Sequence, residues 1–337
     1  VILLVQFHHA ITDGIGIFDF IEDLLLLYNR EIVRRSGHLA ESAPAPPPRR
    51  QELLHSRGRF HLNLLDWWRR LPWDMARYRA FFRRQPTPLR LEGEAPGERP
   101  SPVHPGMSPL DAAVREVWSE ARTKALSAEA KAQGVTLNDL LVTRYFRALR
   151  EWQGEKRGPI RVSVPTSLRL PADAELPSTN VVSMVFLDRT EDVIRDEGAL
   201  LASVATEMRR IKDQRLGLAM IRILTWFARL PGVLALFFRL PICQTTSVLT
   251  NLGRPFAGSP LMGQDGLVRA GDVTMTGVDT LPPVRPLTTV SLSVNGYAGK
   301  LSLTLRYDGR LMSRAAAKRC LGLISRKFEG DGERRAP

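Results

Sequence analysis

His8-His9-Ala10-Ile11-Thr12-Asp13-Gly14 reads HHAITDG, and the fold class follows from what flanks it. Before it stands VILLVQF, Val1 to Phe7, an unbroken apolar run of the kind carried by a strand buried on both faces. After it, Ile17, Ile21, Leu24, Tyr28 and Ile32 recur at three- and four-residue spacing, which predicts an amphipathic helix. The heptapeptide is therefore a strand end, a turn and a helix start, a place where side chains are held rigidly and still face a cleft.

Further along, the chain divides by composition. Residues 1–35 read as the remnant of an N-terminal lobe carrying the motif, residues 36–110 as a connector rich in Pro and Arg that brackets one aromatic amphipathic helix, residues 111–330 as a C-terminal lobe, and residues 331–337 as a polar tail. In the C-terminal lobe, strands are predicted at 114–118, 159–165, 180–187, 246–250 and 272–278. Helices are predicted at 123–133, from a cap at Thr136 to Asn138 onward, at 192–215, and at 314–328. SLSVNGYAGKLSLTLRYDG is a hairpin whose turn holds Gly296 and Gly299. Strands and helices alternate without a repeat, so the class is α/β.

With 337 residues, 44% hydrophobic and 25% charged, the chain can bury a real core, which excludes disorder and collagen-like repetition. The net charge of +13 raises the question of a nucleic-acid partner. About half of that excess lies between Arg34 and Arg99, in the Pro-rich connector, and reads as a solvated amphipathic segment, so nucleic acid is not expected. The most apolar window, Leu216 to Leu240, is interrupted by Arg222, Arg229 and Pro231 and does not read as a membrane span. Cys243 and Cys320 have neither metal nor redox spacing, which suggests a reducing, cytoplasmic setting. A strand such as Val1–Phe7 needs neighbours on both sides, and the residues to build them do not precede it, so the chain is expected to be a fragment of a longer protein.

In the motif, a neutral imidazole titrating near pH 7 can take a proton from an attacking hydroxyl or amine. Other readings of the same residues stay open: turn histidines satisfied locally, Asp13 as a helix N-cap, and Arg169 as a plain surface arginine. Gly14-Ile15-Gly16 lacks the third glycine of a dinucleotide loop, because Asp19 stands there and would oppose a pyrophosphate. There is no GxSxG elbow, Walker loop or CxxC. A metal at His8 and His9 would need convergent ligands, and His38, His55, His61 and His104 all fall in the connector, so no metal site is expected.

HHAITDG resembles the HHxxxDG signature of the chloramphenicol-acetyltransferase-like superfamily, which includes condensation domains, wax ester synthases and related stand-alone acyltransferases. TLNDLLVTRYFRALREW, RVSVPTSLR, STNVVSMVFLDR, TNLGRP (Thr250 to Pro255) and LRYDGRL are similar to further stretches of that family. The resemblance implies two lobes in a V, the first only partly present here, with a tunnel at the motif loop where a thioester donor and an acceptor meet. It implies His9 as general base and His8 pointing elsewhere. It also implies that Asp13 turns from the tunnel to pair with an arginine, matched here to Arg169. Gly14 and Gly16 would permit the passage into the helix and the tunnel wall, and Asn251 and Gly253 would shape the opposite wall.

The implied reaction moves an acyl group from acyl-CoA or an acyl carrier protein to an alcohol or amine, with no acyl-enzyme and no bound metal or redox cofactor. The expected partners are a small-molecule or lipid-like acceptor and a carrier protein, with peripheral membrane contact left open. No adenylation or carrier module follows the final helix, which favours a stand-alone O-acyltransferase. The alternatives are a condensation domain forming amide bonds and a catalytically inert scaffold.

Overall fold

The computed structural model describes residues 1–37, 43–56, 64–91, 112–154, 158–233, 235–236, 243–284 and 287–330. Helix α1 (Gly14–Arg35) starts at the motif, followed by a one-turn α2 (Leu53–Ser56) and by α3 (Leu64–Arg83) with Pro72 inside it. Then come β1 (Ala113–Val117), α4 (Glu120–Ala132), α5 (Leu137–Gln153), β2 (Ile160–Ser167) and β3 (Val182–Arg189). The remaining elements are α6 (Glu191–Arg195), α7 (Glu197–Asp213), α8 (Leu218–Ala228), β4 (Ser247–Asn251), β5 (Arg269–Ala270), β6 (Val273–Thr274), β7 (Val290–Tyr297), β8 (Lys300–Tyr307) and α9 (Arg314–Glu329).

Six strands form one sheet in the order β1-β8-β7-β4-β2-β3. The pairs β7/β4 and β4/β2 are parallel, and the outer pairs are antiparallel. Alternation along VSLSVN decides which face is which. Val290, Leu292 and Val294 enter the main core with Tyr145, Phe146 and Leu149 of α5, Leu200 of α7 and Ile324 of α9. Ser291 and Asn295 point the other way and are buried against the loop before β7, donating to Pro283 O (3.1 Å) and Val278 O (3.0 Å). Helix α5 begins on a capping box in which the Thr136 hydroxyl accepts from Asp139 N while the Asp139 carboxylate accepts from Thr136 N.

A second cluster holds the motif helix. Phe18 and Leu26 of α1 pack on Phe256, Leu261, Val268 and Tyr297, with the Phe18 and Phe256 rings edge to face at 5.4 Å. Helix α3 is moored by charge. Asp74 pairs with Arg222 of α8, both almost fully buried, and the buried Arg161 of β2 donates to Phe81 O (3.1 Å) and Arg84 O (2.9 Å) at the end of α3. Leu65, Trp68, Trp73 and Met75 of that helix are exposed.

Three expectations are corrected. Residues 1–7 form no strand, because no described strand lies alongside them, and Val1 to Leu4 are exposed. The helix expected over 192–215 is two helices, broken where Asp196 turns extended and its carboxylate caps α7 by accepting from Ala199 N (3.0 Å). The strand expected at 272–278 shrinks to β6, which pairs only with β5 across Gly271, whose φ of +56° suits glycine. Among the described residues, no helix is long and apolar enough to cross a membrane.

Candidate functional site

The motif turn is built around one buried carboxylate. Asp13 Oδ1 accepts from Gly16 N (2.9 Å), which caps α1, while Oδ2 accepts from Arg169 Nη1 (2.7 Å) and Val181 N (2.7 Å). Arg169 reaches on to Thr179 O (2.8 Å). Asp13 is thus a helix cap and an ion-pair partner at once, and it ties the motif to the segment between β2 and β3. Thr12 and Ser178 hydroxyls meet at 3.0 Å, and Ser178 donates to Gly16 O (2.7 Å).

Gly16 has no room for a side chain: a Cβ there would stand 2.3 Å from Thr12 Oγ1 and 2.9 Å from Thr179 O. A Cβ on Gly14 would meet the end of Leu252, at 2.5 Å from Cδ2. The motif helix therefore abuts the TNLGRP turn. In that turn Asn251 Oδ1 accepts from Gly253 N (3.0 Å), and Gly253 O accepts from Gly296 N (2.7 Å), with Gly253 at φ +65°. The Asn251 amide also reaches Asn138 Oδ1 of α5 (3.4 Å).

With the turn fixed from beneath, both histidines face outward. His8 Nδ1 accepts from Ala10 N (3.2 Å), and His8 O accepts from Ile11 N (2.9 Å), so His8 is spent on closing the turn. His9 is exposed, and its neighbour is Asn180. Asn180 Nδ2 donates to His9 O (2.5 Å) and lies 3.3 Å from His9 Nδ1. Asn180 opens the strand expected at 180–187 and lies within STNVVSMVFLDR, but its pairing with His9, 171 residues away, has no signal in spacing; Ser178 and Thr179 beside it also bind the motif turn. On α1, burial raises the Asp19 carboxyl above its usual range, and the nearby Arg49 and Arg169 work against that rise.

A cavity of about 920 Å³ between α3, α7 and α8 lies away from the motif. Its lining charges are already engaged, Asp74 with Arg222, Glu207 with Arg189, and Arg70 and Arg210 with Gln214, so the motif turn is the candidate site. Among the described residues, no cluster of His, Cys, Asp and Glu is placed to hold a metal ion.

No family model matches the sequence, and no curated protein matches it. Solved structures do. The chain is similar to the first condensation domain of the calcium-dependent antibiotic synthetase, at 17% identity and a TM-score of 0.60, over 96% of this chain and 62% of that one. It is similar to a mutant of the starter condensation domain of rhizomide synthetase in complex with C8-CoA, at 17% identity and 0.62, over 96% and 64%. It is also similar to polyketide synthase associated protein 5 from Mycobacterium tuberculosis, at 14% identity and 0.58, over 95% and 71%. The preference for a stand-alone O-acyltransferase is overturned by the matched structures, several of which are condensation domains of synthetases. The chain has the α/β fold of the chloramphenicol-acetyltransferase-like and condensation-domain superfamily, over the part of that two-lobed fold which its length spans.

Proposed function

We propose that the protein is a condensation-type acyltransferase: an acyl group passes from a thioester, on coenzyme A or a carrier protein, to an amine acceptor at His9. The observation that carries this reading is the Asp13-centred turn, which consumes Asp13, Arg169, Ser178 and His8 in fixing the backbone and leaves the His9 ring exposed beside Asn180. A rigid turn of this kind lets one imidazole meet a reacting carbonyl without a cost in reordering. The similar fold of a condensation domain bound to C8-CoA supports the thioester donor.

In this reading Asp13 and Arg169 position, and His9 alone touches the reacting atoms. Gly14 and Gly16 keep the helix start close to Leu252 and Thr179. The test is release of free thiol from acyl-CoA and acyl-carrier-protein donors with amine acceptors. Release is expected from the wild type, and a fall of about 10²- to 10³-fold in His9→Ala. Equal turnover in both would remove His9 from the chemistry, and no turnover in either would leave the inert-scaffold reading in its place.

A further inference from the structure

Helix α3 is held from its inner side. Leu71 is half-buried, Asp74 is buried in its pair with Arg222 of α8, and the Arg161 guanidinium lies over the Phe81 ring at 4.0 Å. At about 100° of turn per residue, the side away from Asp74 is a stripe of Leu65, Arg69, Pro72, Ala76, Arg79 and Arg83. All six are exposed. Trp68 and Met75 border the stripe on one side and Trp73 on the other, with Trp68 56% and Trp73 77% exposed.

The surface continues onto α8. Trp226 stands one turn beyond Arg222, the residue that grips α3, and Trp226, Leu230 and Leu236 are exposed. Charge here is overwhelmingly positive. Helix α3 carries five arginines against two aspartates, one of them the paired Asp74, and no acidic residue occurs from Leu216 to Thr250. A merely solvated helix face has no use for exposed indoles beside its cations. An anionic bilayer surface uses both, because arginines meet lipid phosphates and tryptophans settle at headgroup depth. A nucleic acid would use the arginines and the indoles, but it gains nothing from Leu65, Leu230 and Leu236.

We propose that the outer stripe of α3 and the adjoining end of α8 dock the protein on anionic phospholipid, with Arg69, Arg79 and Arg83 on the phosphates and Trp68, Trp73 and Trp226 at headgroup depth. The docking is independent of the acyl-transfer reading and needs no turnover. Adsorption is shallow, because the centre of the stripe is cationic and the indoles lie on its borders. Salt therefore weakens it.

The test is co-sedimentation of the protein with vesicles of phosphatidylcholine alone and of phosphatidylcholine with equimolar phosphatidylglycerol, beside a control without vesicles. The expected result is binding to the anionic vesicles at low salt, release at high salt, and little binding to the neutral ones. Arg69→Glu, Arg79→Glu and Arg83→Glu together should weaken that binding by at least about 10²-fold. Trp68→Ser with Trp73→Ser should weaken it by about 10-fold. Quenching of the wild-type tryptophan fluorescence by brominated phospholipid reads the docking without any variant, so the test survives a variant that fails to fold. No binding to anionic vesicles, binding that ignores salt and the arginine reversal, or bound protein without quenching overturns the proposal. So does a single-stranded RNA oligonucleotide bound where vesicles are not, or a dimer formed through the tryptophans that leaves vesicles unbound. Vesicle binding by a protein that transfers no acyl group would sink the acyl-transfer reading and leave the docking surface standing.

Discussion

Asp13 and Arg169 stand 156 residues apart in sequence and 2.7 Å apart in space, with Arg169 Nη1 donating to Asp13 Oδ2. The same carboxylate accepts from Gly16 N and Val181 N, so three separate segments converge on it. A buried pair of this kind is better understood as holding a geometry than as adding stability, since each charge has been taken out of water.

Removing one side exposes that dependence. Asp13→Ala leaves two backbone donors and a guanidinium without their acceptor and is expected to destabilise by about 3–5 kcal/mol. Asp13→Asn keeps the size but turns an NH₂ toward Arg169 or Gly16. Thermal or denaturant unfolding should rank both well below the wild type, and a loss under about 1 kcal/mol in each would contradict the role.

The two motif glycines should differ. At Gly16 an added methyl meets Thr179 backbone and Thr12 at distances real side chains do not adopt, and Gly16→Ala is expected to cost about 1–3 kcal/mol. At Gly14 the obstacle is only the end of Leu252, a side chain that can turn aside. Gly14→Ala should therefore cost less, and Leu252→Ala should relieve what cost there is. Equal effects in unfolding curves would contradict the packing.

The mooring of α3 offers a double-mutant cycle. Asp74 and Arg222 are buried together, and Arg222 Nη1 has no partner among the described residues, so the pair is incompletely satisfied. Asp74→Leu or Arg222→Met alone should cost about 3–5 kcal/mol, while the double variant should be near neutral or more stable. Additive losses would mean the pair is not coupled.

Burial pushes the thiol of Cys243 up to about 11 and that of Cys320 up to about 12. At pH 8 the native protein should alkylate slowly at both, with full reactivity on unfolding. Because the folded values lie above the ordinary thiol range, the stability linked to these groups is complete below that range and is lost as pH rises through it toward the folded values. Rapid native labelling, or unfolding free energy that holds steady from pH 8 to 11, would contradict their burial.

Local chemistry made much of this architecture legible. The alternation of SLSVN gave β7 its two faces, and Thr136 with Asp139 announced the start of α5. The apolar run Val1–Phe7 misled, because hydrophobicity reports a wish for burial and supplies no neighbouring strand to pair with. Asp196 ended one helix and capped the next, a break that the Asp N-cap preference allows and that the continuous helical pattern over 192–215 hides. At the site, HHAITDG marked the turn, while the choice of Asn180 as partner to His9 depends on where β3 begins in space, which spacing along the chain does not reveal.

The measurement that bears most directly on the acyl-transfer reading is mass-spectrometric detection of the acylated product when acyl-CoA or acyl-carrier protein is offered with paired amine and alcohol acceptors of the same carbon skeleton, wild type beside His9→Ala. The account predicts the amide from the wild type, its loss by about 10²- to 10³-fold in the variant, and no ester. An ester product, or amide formed equally by both proteins, would contradict it.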